Sequence, residues 1–342
     1  MAKIHCLGSG LVGAFVIRHL VKSGHEVHAY DLHPMKHAGA HLHVGDVFQA
    51  LNNLEEGLIV NMLPGTIGGD CTQRLITEGR NVVDLSFADP TPDLLDSLAK
   101  ESGSVIIWDV GIAPGLSNML LRKAQNELGH LDLAEIRVGG NPVSPDESWS
   151  YMAPFSPIDV IAEYTRPARV VRGGTMAVLP ALAERHIIEV ANKGPMEAFL
   201  SDGLRSLIHG INAENMSEYT VRWPGHIQKY IDLRDSDGLD IDALLNQWKL
   251  DPNRDEFTWM EITATSPTGS RRWTVQDHGM NHDSSMARTT GLVTVATALT
   301  LLENEVNLPP GVHAPEDLPE VFLSRTIELF QSEGVEIQAF HE

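Results

Sequence analysis

Lys3-Ile4-His5-Cys6-Leu7-Gly8-Ser9-Gly10-Leu11-Val12-Gly13 opens the chain, and a helical stretch carries it on to Glu26-Val27-His28-Ala29-Tyr30-Asp31. The order is an apolar strand, three glycines spaced 8, 10 and 13, a helix over Leu11–Lys22, and a second strand ending in an acid. Each part has a task in dinucleotide binding. Gly8 permits a tight turn, Gly10 lets backbone approach a pyrophosphate, and Gly13 lets the helix pack close to the strand. The helix start presents unpaired N–H groups and a positive dipole end to the phosphates. Gly8, Ser9, Gly10, Leu11, Val12 and Gly13 are therefore the expected cofactor loop. A carboxylate at Asp31 suits the ribose hydroxyls and repels a 2′-phosphate, which favours NAD over NADP. His33, Lys36 and His37 follow at once and work against that repulsion. Leu63-Pro64, after the strand that starts at Leu58, and Ser86, after a strand ending near Leu85, are the further expected cofactor contacts.

Strand and helix signals alternate through the first third. Short apolar runs at Ile4–Leu7, Val27–Tyr30, Leu58–Leu63, Val82–Leu85 and Val105–Trp108, with a weaker one near Val44, read as strands. Leu11–Lys22, Val47–Leu54, Thr66–Thr77 and Pro92–Glu101 read as helices between them. This is the pattern of a doubly wound parallel sheet. After Asp109 the chain reads as α+β, with a hairpin signal at Ser266-Pro267-Thr268-Gly269. The expected fold is thus α/β: an N-terminal Rossmann sheet over 1–115, a second, α+β domain over 116–285, and C-terminal helices over 286–342 packing back on the first domain.

The chain has 342 residues and a net charge of −21, which argues against nucleic acid and anionic membrane surfaces as partners. Cys6 and Cys71 are its two cysteines, too few for a disulfide framework or a zinc site, and a reducing cytoplasm is expected. With a strand beginning by residue 3, no signal peptide is expected. Met286–Leu302 is long and apolar but contains Arg288 and five threonines, so it reads as a buried packing helix. His33, His37, His41 and His43 invite a metal reading, yet no acid or cysteine completes a set in sequence, and no metal is expected.

Specific segments then resemble the saccharopine dehydrogenase superfamily, most closely its L-lysine 6-dehydrogenases. They are Trp108-Asp109-Val110-Gly111-Ile112-Ala113-Pro114-Gly115; Phe155-Ser156-Pro157 through Glu163-Tyr164-Thr165 with Pro167-Ala168 and Arg172-Gly173-Gly174; Gly194-Pro195-Met196-Glu197-Ala198-Phe199; Tyr219-Thr220-Val221-Arg222-Trp223-Pro224-Gly225-His226, with Trp223 where the family pattern has tyrosine; Met286-Ala287-Arg288-Thr289-Thr290; and Gly311-Val312 with Pro315-Glu316. The resemblance implies an NAD-linked oxidoreductase with an amino-acid substrate, and a second domain over 116–285 that shapes the substrate pocket and mediates dimerisation, giving a homodimer. It leaves the substrate open, since the superfamily also holds saccharopine dehydrogenases and carboxynorspermidine and homospermidine synthases.

An enzyme oxidising lysine must hold the α-carboxylate, deprotonate the ε-ammonium and supply water to the imine. Arg222 is the candidate for the carboxylate, since a guanidinium offers a planar fork; the competing reading is an ordinary ion pair. His226 is a candidate base or a structural histidine bonded to backbone. Asp109 ends a parallel strand, where it serves as a base or ammonium ligand, or caps its own loop. Tyr151 and Asn118 are candidate substrate contacts. The expected reaction is oxidative deamination of L-lysine to allysine, which cyclises to piperideine-6-carboxylate, with release of ammonia. The alternative is a saccharopine or carboxynorspermidine type enzyme acting on a secondary amine. Its extra carboxylates would call on Arg166, Arg169 and Arg172. A non-catalytic NAD-binding sensor is the reading from another class.

Overall fold

Apolar runs bounded by turn residues, with one-faced helices between them, bury both faces of a parallel sheet. In the computed structural model, which describes residues 1–33, 38–153, 157–303 and 306–341, they form β1 (Lys3–Leu7), α1 (Leu11–Lys22), β2 (Glu26–Asp31), β3 (His41–Val44), α2 (Val47–Ala50), β4 (Leu58–Asn61), α3 (Gly65–Thr77), β5 (Val82–Asp84), α4 (Asp96–Ser102), β6 (Val105–Ile107) and α5 (Leu116–Leu128). Lys36, His37, Phe155 and Ser156 lie outside the described residues. A seventh strand, Gly311–His313, comes from far along the chain. The order is Gly311–His313, β6, β5, β4, β1, β2, β3, and every pairing is parallel. The strand order reverses between β1 and β4, and open α/β sheets bind ligands above the carboxyl ends at such a point. Leu7, Ile59, Leu75, Ile76, Val82 and Ile106 are fully buried in the core on one face, each contributing about 1.5–3 kcal/mol.

Two expected helices are shorter than their patterns. Val47–Leu54 gives way after Ala50 to a 3-10 turn over Leu51–Asn53, where two asparagines lower helix propensity. Pro92–Glu101 divides into a 3-10 turn, Pro92–Leu95, and α4.

The later chain forms β7 (Leu131–Pro142), α6 (Pro157–Thr165), β8 (Ala168–Arg172), β9 (Thr175–Leu179), β10 (His186–Val190), β11 (Gly194–Leu200), α7 (Leu207–Gly210), β12 (Ala213–Arg222), α8 (His226–Asp235), α9 (Ile241–Gln247), β13 (Glu256–Ser266), β14 (Gly269–His278), α10 (Ser285–Leu302), β15 (the Gly311–His313 strand), α11 (Glu320–Ser332) and β16 (Glu336–His341). A mixed sheet runs β10-β11-β12-β7-β13-β14-β16, with β8 on β12 and β9 on β8. The hairpin turn falls where the sequence places it, between Ser266 and Gly269.

Two compact units result: Met1–Met119 with Ala287–Glu333, and Leu120–Met286 with Gly334–Glu342. The first break falls inside α5, not at residue 115. The segment 286–342 does not end as helix. Its last strand, β16, pairs antiparallel with β14 in the second unit, because Ile337 and Ala339 alternate with polar residues and β14 offers an edge. Helix α10 is long and apolar enough to cross a membrane, with 83% of it buried inside the structure. Within the first unit its Thr294 hydroxyl donates to the Val110 carbonyl at 3.0 Å.

Candidate active site

The glycine loop sits where the strand order reverses. A Cβ on Gly13 would lie 2.5 Å from the Gly8 carbonyl oxygen, so the start of α1 is pressed against the loop. A Cβ on Gly10 would meet no protein atom within 4 Å. The loop is therefore tight where it packs and open where a pyrophosphate would lie. No side chain caps α1, and its first turn carries no acid, which leaves the first N–H groups to an anion. The Asp31 carboxylate accepts from Ser9 N–H at 2.7 Å and His33 N–H at 2.8 Å. Each oxygen keeps a lone pair for a ribose hydroxyl.

Beyond β4, Leu63 N–H donates to Asn61 Oδ1 at 3.3 Å, and Pro64 caps α3. Beyond β5, Ser86 N–H donates to Asp84 Oδ1 at 2.6 Å. Among the described residues the buried Ser86 hydroxyl has no hydrogen-bond partner. An open loop, an uncapped helix, a strand-end carboxylate and an orphaned hydroxyl together fit a nicotinamide dinucleotide.

Asp109 follows β6 and is 5% exposed. Its backbone is left-handed at φ 55°, a conformation disfavoured for a residue with a Cβ. The next turn closes on itself: Gly111 N–H reaches the Pro114 carbonyl at 3.0 Å and Leu116 N–H the Gly111 carbonyl at 2.9 Å. Asn118 locks this turn. Its Oδ1 accepts from Gly115 N–H and the Ser117 hydroxyl, both at 3.1 Å, and its Nδ2 donates to Glu316 Oε2 at 2.9 Å. Both ends of the Asn118 amide are thus used within the first unit, so the expected substrate contact is a loop staple.

The second unit assembles a charged cluster inside an aromatic core of Trp149, Tyr151, Tyr164, Phe199, Tyr230 and Trp248. Arg222, the last residue of β12, is 2% exposed. Its Nε donates to Tyr164 Oη at 3.1 Å and its Nη1 to the Val221 carbonyl at 3.0 Å. Its Nη2 donates to Glu163 Oε2 at 3.0 Å and to Tyr151 Oη at 3.4 Å. The guanidinium also lies over the Tyr151 ring, 4.5 Å from its centroid, a cation–π contact. Burial pushes the Glu163 carboxyl above its ordinary range while Arg222 pulls it back. The described residues take four of the five guanidinium N–H groups.

His226 begins α8, and its position differs from that expected of a base. Its Nδ1 lies 2.9 Å from the Trp149 carbonyl and its Nε2 2.9 Å from Tyr164 Oη. A carbonyl only accepts, so Nδ1 carries the proton and Nε2 accepts from the phenol. Burial holds the imidazole neutral, its pKa lowered to about 3. Both nitrogens are engaged, which makes His226 a strut for Tyr164, and through it for Arg222.

Sequence reasoning passed over three residues of the second unit. Glu163 and Tyr164 stood in a quoted family segment without a role; their adjacency at the end of α6 was the available signal. Glu218 carried no signal, since a glutamate in a strand usually faces water. Here it is buried, bonded to the Ser201 hydroxyl at 2.7 Å and Gly203 N–H at 3.1 Å, and burial raises its pKa to about 7. The reading of Tyr151 as a pocket residue becomes one of an aromatic floor beneath Arg222.

The saccharopine dehydrogenase C-terminal domain matches residues 111–335, well over half of the chain. The chain belongs to this family. Among curated relatives of this saccharopine dehydrogenase-family protein is the mitochondrial alpha-aminoadipic semialdehyde synthase of Bos taurus, 22% identical over 294 residues, covering 76% of this chain and 30% of that protein. The chain thus spans about a third of the length of that relative. Among solved structures, the apo histidine-tagged saccharopine dehydrogenase (L-Glu forming) from Saccharomyces cerevisiae aligns over 100% of both chains, with a TM-score of 0.76 and 16% identity. That likeness shows the fold: a Rossmann sheet followed by a mixed sheet.

Proposed function

We propose that the chain is an NAD-dependent amino-acid dehydrogenase that deaminates L-lysine at its ε-amine. The observation that carries this reading is the Arg222–Glu163 pair, a buried guanidinium 3.0 Å from a half-buried carboxylate. Such a pair is complementary to the zwitterionic end of an α-amino acid: the guanidinium suits the carboxylate and Glu163 suits the α-ammonium. Tyr164 and His226 hold the guanidinium in place, and pre-organisation of this kind lowers the entropy cost of binding.

Within the first unit, Asp109 follows the parallel strand β6 at the carboxyl edge of the sheet, where open α/β sheets meet their ligands. The bound dinucleotide supplies a hydride acceptor at its nicotinamide. Asp31 supports NAD over NADP, because a 2′-phosphate would face its carboxylate. The balance is L-lysine, NAD⁺ and water giving allysine, ammonium, NADH and a proton.

A saccharopine-type substrate is the second reading, and it carries more carboxylates. Two of the arginines it would recruit are already committed. Arg169 forks onto Asp202 at 2.9 and 2.8 Å. Arg172 reaches Glu184 at 2.7 Å and the Ser217 hydroxyl at 2.8 Å. This supports the smaller substrate. The test is NADH formation with ammonia release from L-lysine; turnover of saccharopine with none of lysine would sink the lysine reading and leave the dehydrogenase reading standing.

A further inference from the structure

Parallel pairing of β1, β2 and β3 lines up a row of histidines. Register places His5 beside His28, His28 beside His41, and Tyr30 beside His43, with Lys3 beside Glu26 one row earlier. Side chains two residues apart on a strand share a face. Glu26, His28 and Tyr30 of β2 therefore lie on the same side of the sheet as His41 and His43 of β3.

We propose that Glu26, His28 and His41 form a binding site for a divalent transition-metal ion of the zinc class, clamping the edge strand β3 to β2. One ligand atom from each of the three falls within 4.8 Å of the others. Zinc holds imidazole nitrogen and carboxylate oxygen at about 2.0–2.2 Å, so small ring rotations at this partly exposed surface close the set. His28 Nε2 already lies 2.9 Å from Glu26 Oε1. On its other side, His28 Nδ1 lies 2.9 Å from His43 Nε2. With the metal on Nε2, His28 keeps its proton on Nδ1 and donates it to His43, the support that metal-bound histidines characteristically have.

The His28 ring stacks on His41 at 4.8 Å and on His43 at 5.1 Å between centroids. A metal takes imidazole in its neutral form. Glu26 can turn to the metal without orphaning Lys3, whose ammonium also pairs with Glu55. Two nitrogens and a carboxylate oxygen suit zinc, nickel or copper better than calcium or magnesium. The site lies toward the amino end of β2, about 10–16 Å along the strand from Asp31. The ion would thus act on the stability of the sheet edge and take no part in hydride transfer.

The test is a calorimetric titration of the tag-free full chain with Zn²⁺, alongside thermal unfolding and NAD binding. One saturable equivalent is expected, with a zinc-dependent rise in Tm. His41→Ala and His28→Gln should each weaken that equivalent at least about tenfold and leave NAD affinity unchanged. His41 is exposed, so its replacement leaves the fold intact and decides the matter even if His28→Gln fails to fold. Absence of saturable binding, or an equivalent that persists unchanged in His41→Ala, overturns the proposal.

Discussion

Tyr164 Oη stands 2.9 Å from His226 Nε2 and 3.1 Å from Arg222 Nε, so one phenol accepts from a cation and donates to a neutral imidazole. The line continues from His226 Nδ1 to the Trp149 carbonyl. Every member has a defined proton direction, which makes the cluster a rigid mount for the guanidinium.

Tyr164→Phe removes that junction without changing the ring. It leaves His226 Nε2 without its donor and Arg222 Nε–H without its acceptor. Unfolding in urea should show a loss of about 2–3 kcal/mol. An unchanged stability would mean the two bonds do not form.

Glu163→Gln keeps the shape and removes the charge facing Arg222. Under the proposed function KM for L-lysine rises by about tenfold or more, equivalent to about 1.4 kcal/mol, while NAD affinity is unchanged. Steady-state kinetics with each substrate varied separately checks this. A change confined to NAD would contradict the assignment of Glu163 to the amino acid.

Gly10 and Gly13 should respond differently to alanine. Gly10→Ala adds a methyl into open space, so the protein keeps its Tm and loses dinucleotide affinity. Gly13→Ala drives a methyl to 2.5 Å from the Gly8 carbonyl and should lower Tm before any ligand is added. Calorimetric scans with and without NAD separate the two.

Asp31→Ser withdraws the carboxylate that suits ribose hydroxyls. NAD affinity should fall and NADP affinity rise, moving their ratio by about tenfold or more toward NADP. Titration of both dinucleotides by fluorescence measures that ratio.

Glu218 makes stability depend on pH in a known direction. Its folded pKa is raised to about 7 from an ordinary 4.5, so the folded state binds the proton more tightly than the unfolded chain. The contribution is complete below pH 4.5 and is lost as pH rises through 7, on the order of 3 kcal/mol in total. Glu218→Gln retains an acceptor for Ser201 and Gly203 but cannot ionise. Relative to it, the wild type should lose stability between pH 5 and pH 8 in urea unfolding.

The geometry of the glycine loop was legible in the sequence because it is local. Gly8 to Asp31 is one continuous strand–helix–strand segment, and glycine spacing, helix start and terminal acid are constrained by a few residues of backbone geometry. The parallel sheet followed from the same kind of short-range pattern. The charged cluster was legible only in part. Arg222 stood out by residue type, but its partners come from three separate stretches, around Tyr151, Glu163 and His226, and no local period links Glu163 to Arg222. The role of His226 turned on which atoms face its two nitrogens, which only packing decides. The histidines show the boundary most plainly. His41 and His43 were visible as a pair, but their relation to Glu26 and His28 is set by strand register, a long-range alignment of backbone hydrogen bonds. By itself the sequence determined the alternation of strands and helices that builds the parallel sheet, and the glycine loop between its first strand and helix. Tertiary structure decided which buried charges face one another, because burial removes the water that would otherwise let each charge stand alone.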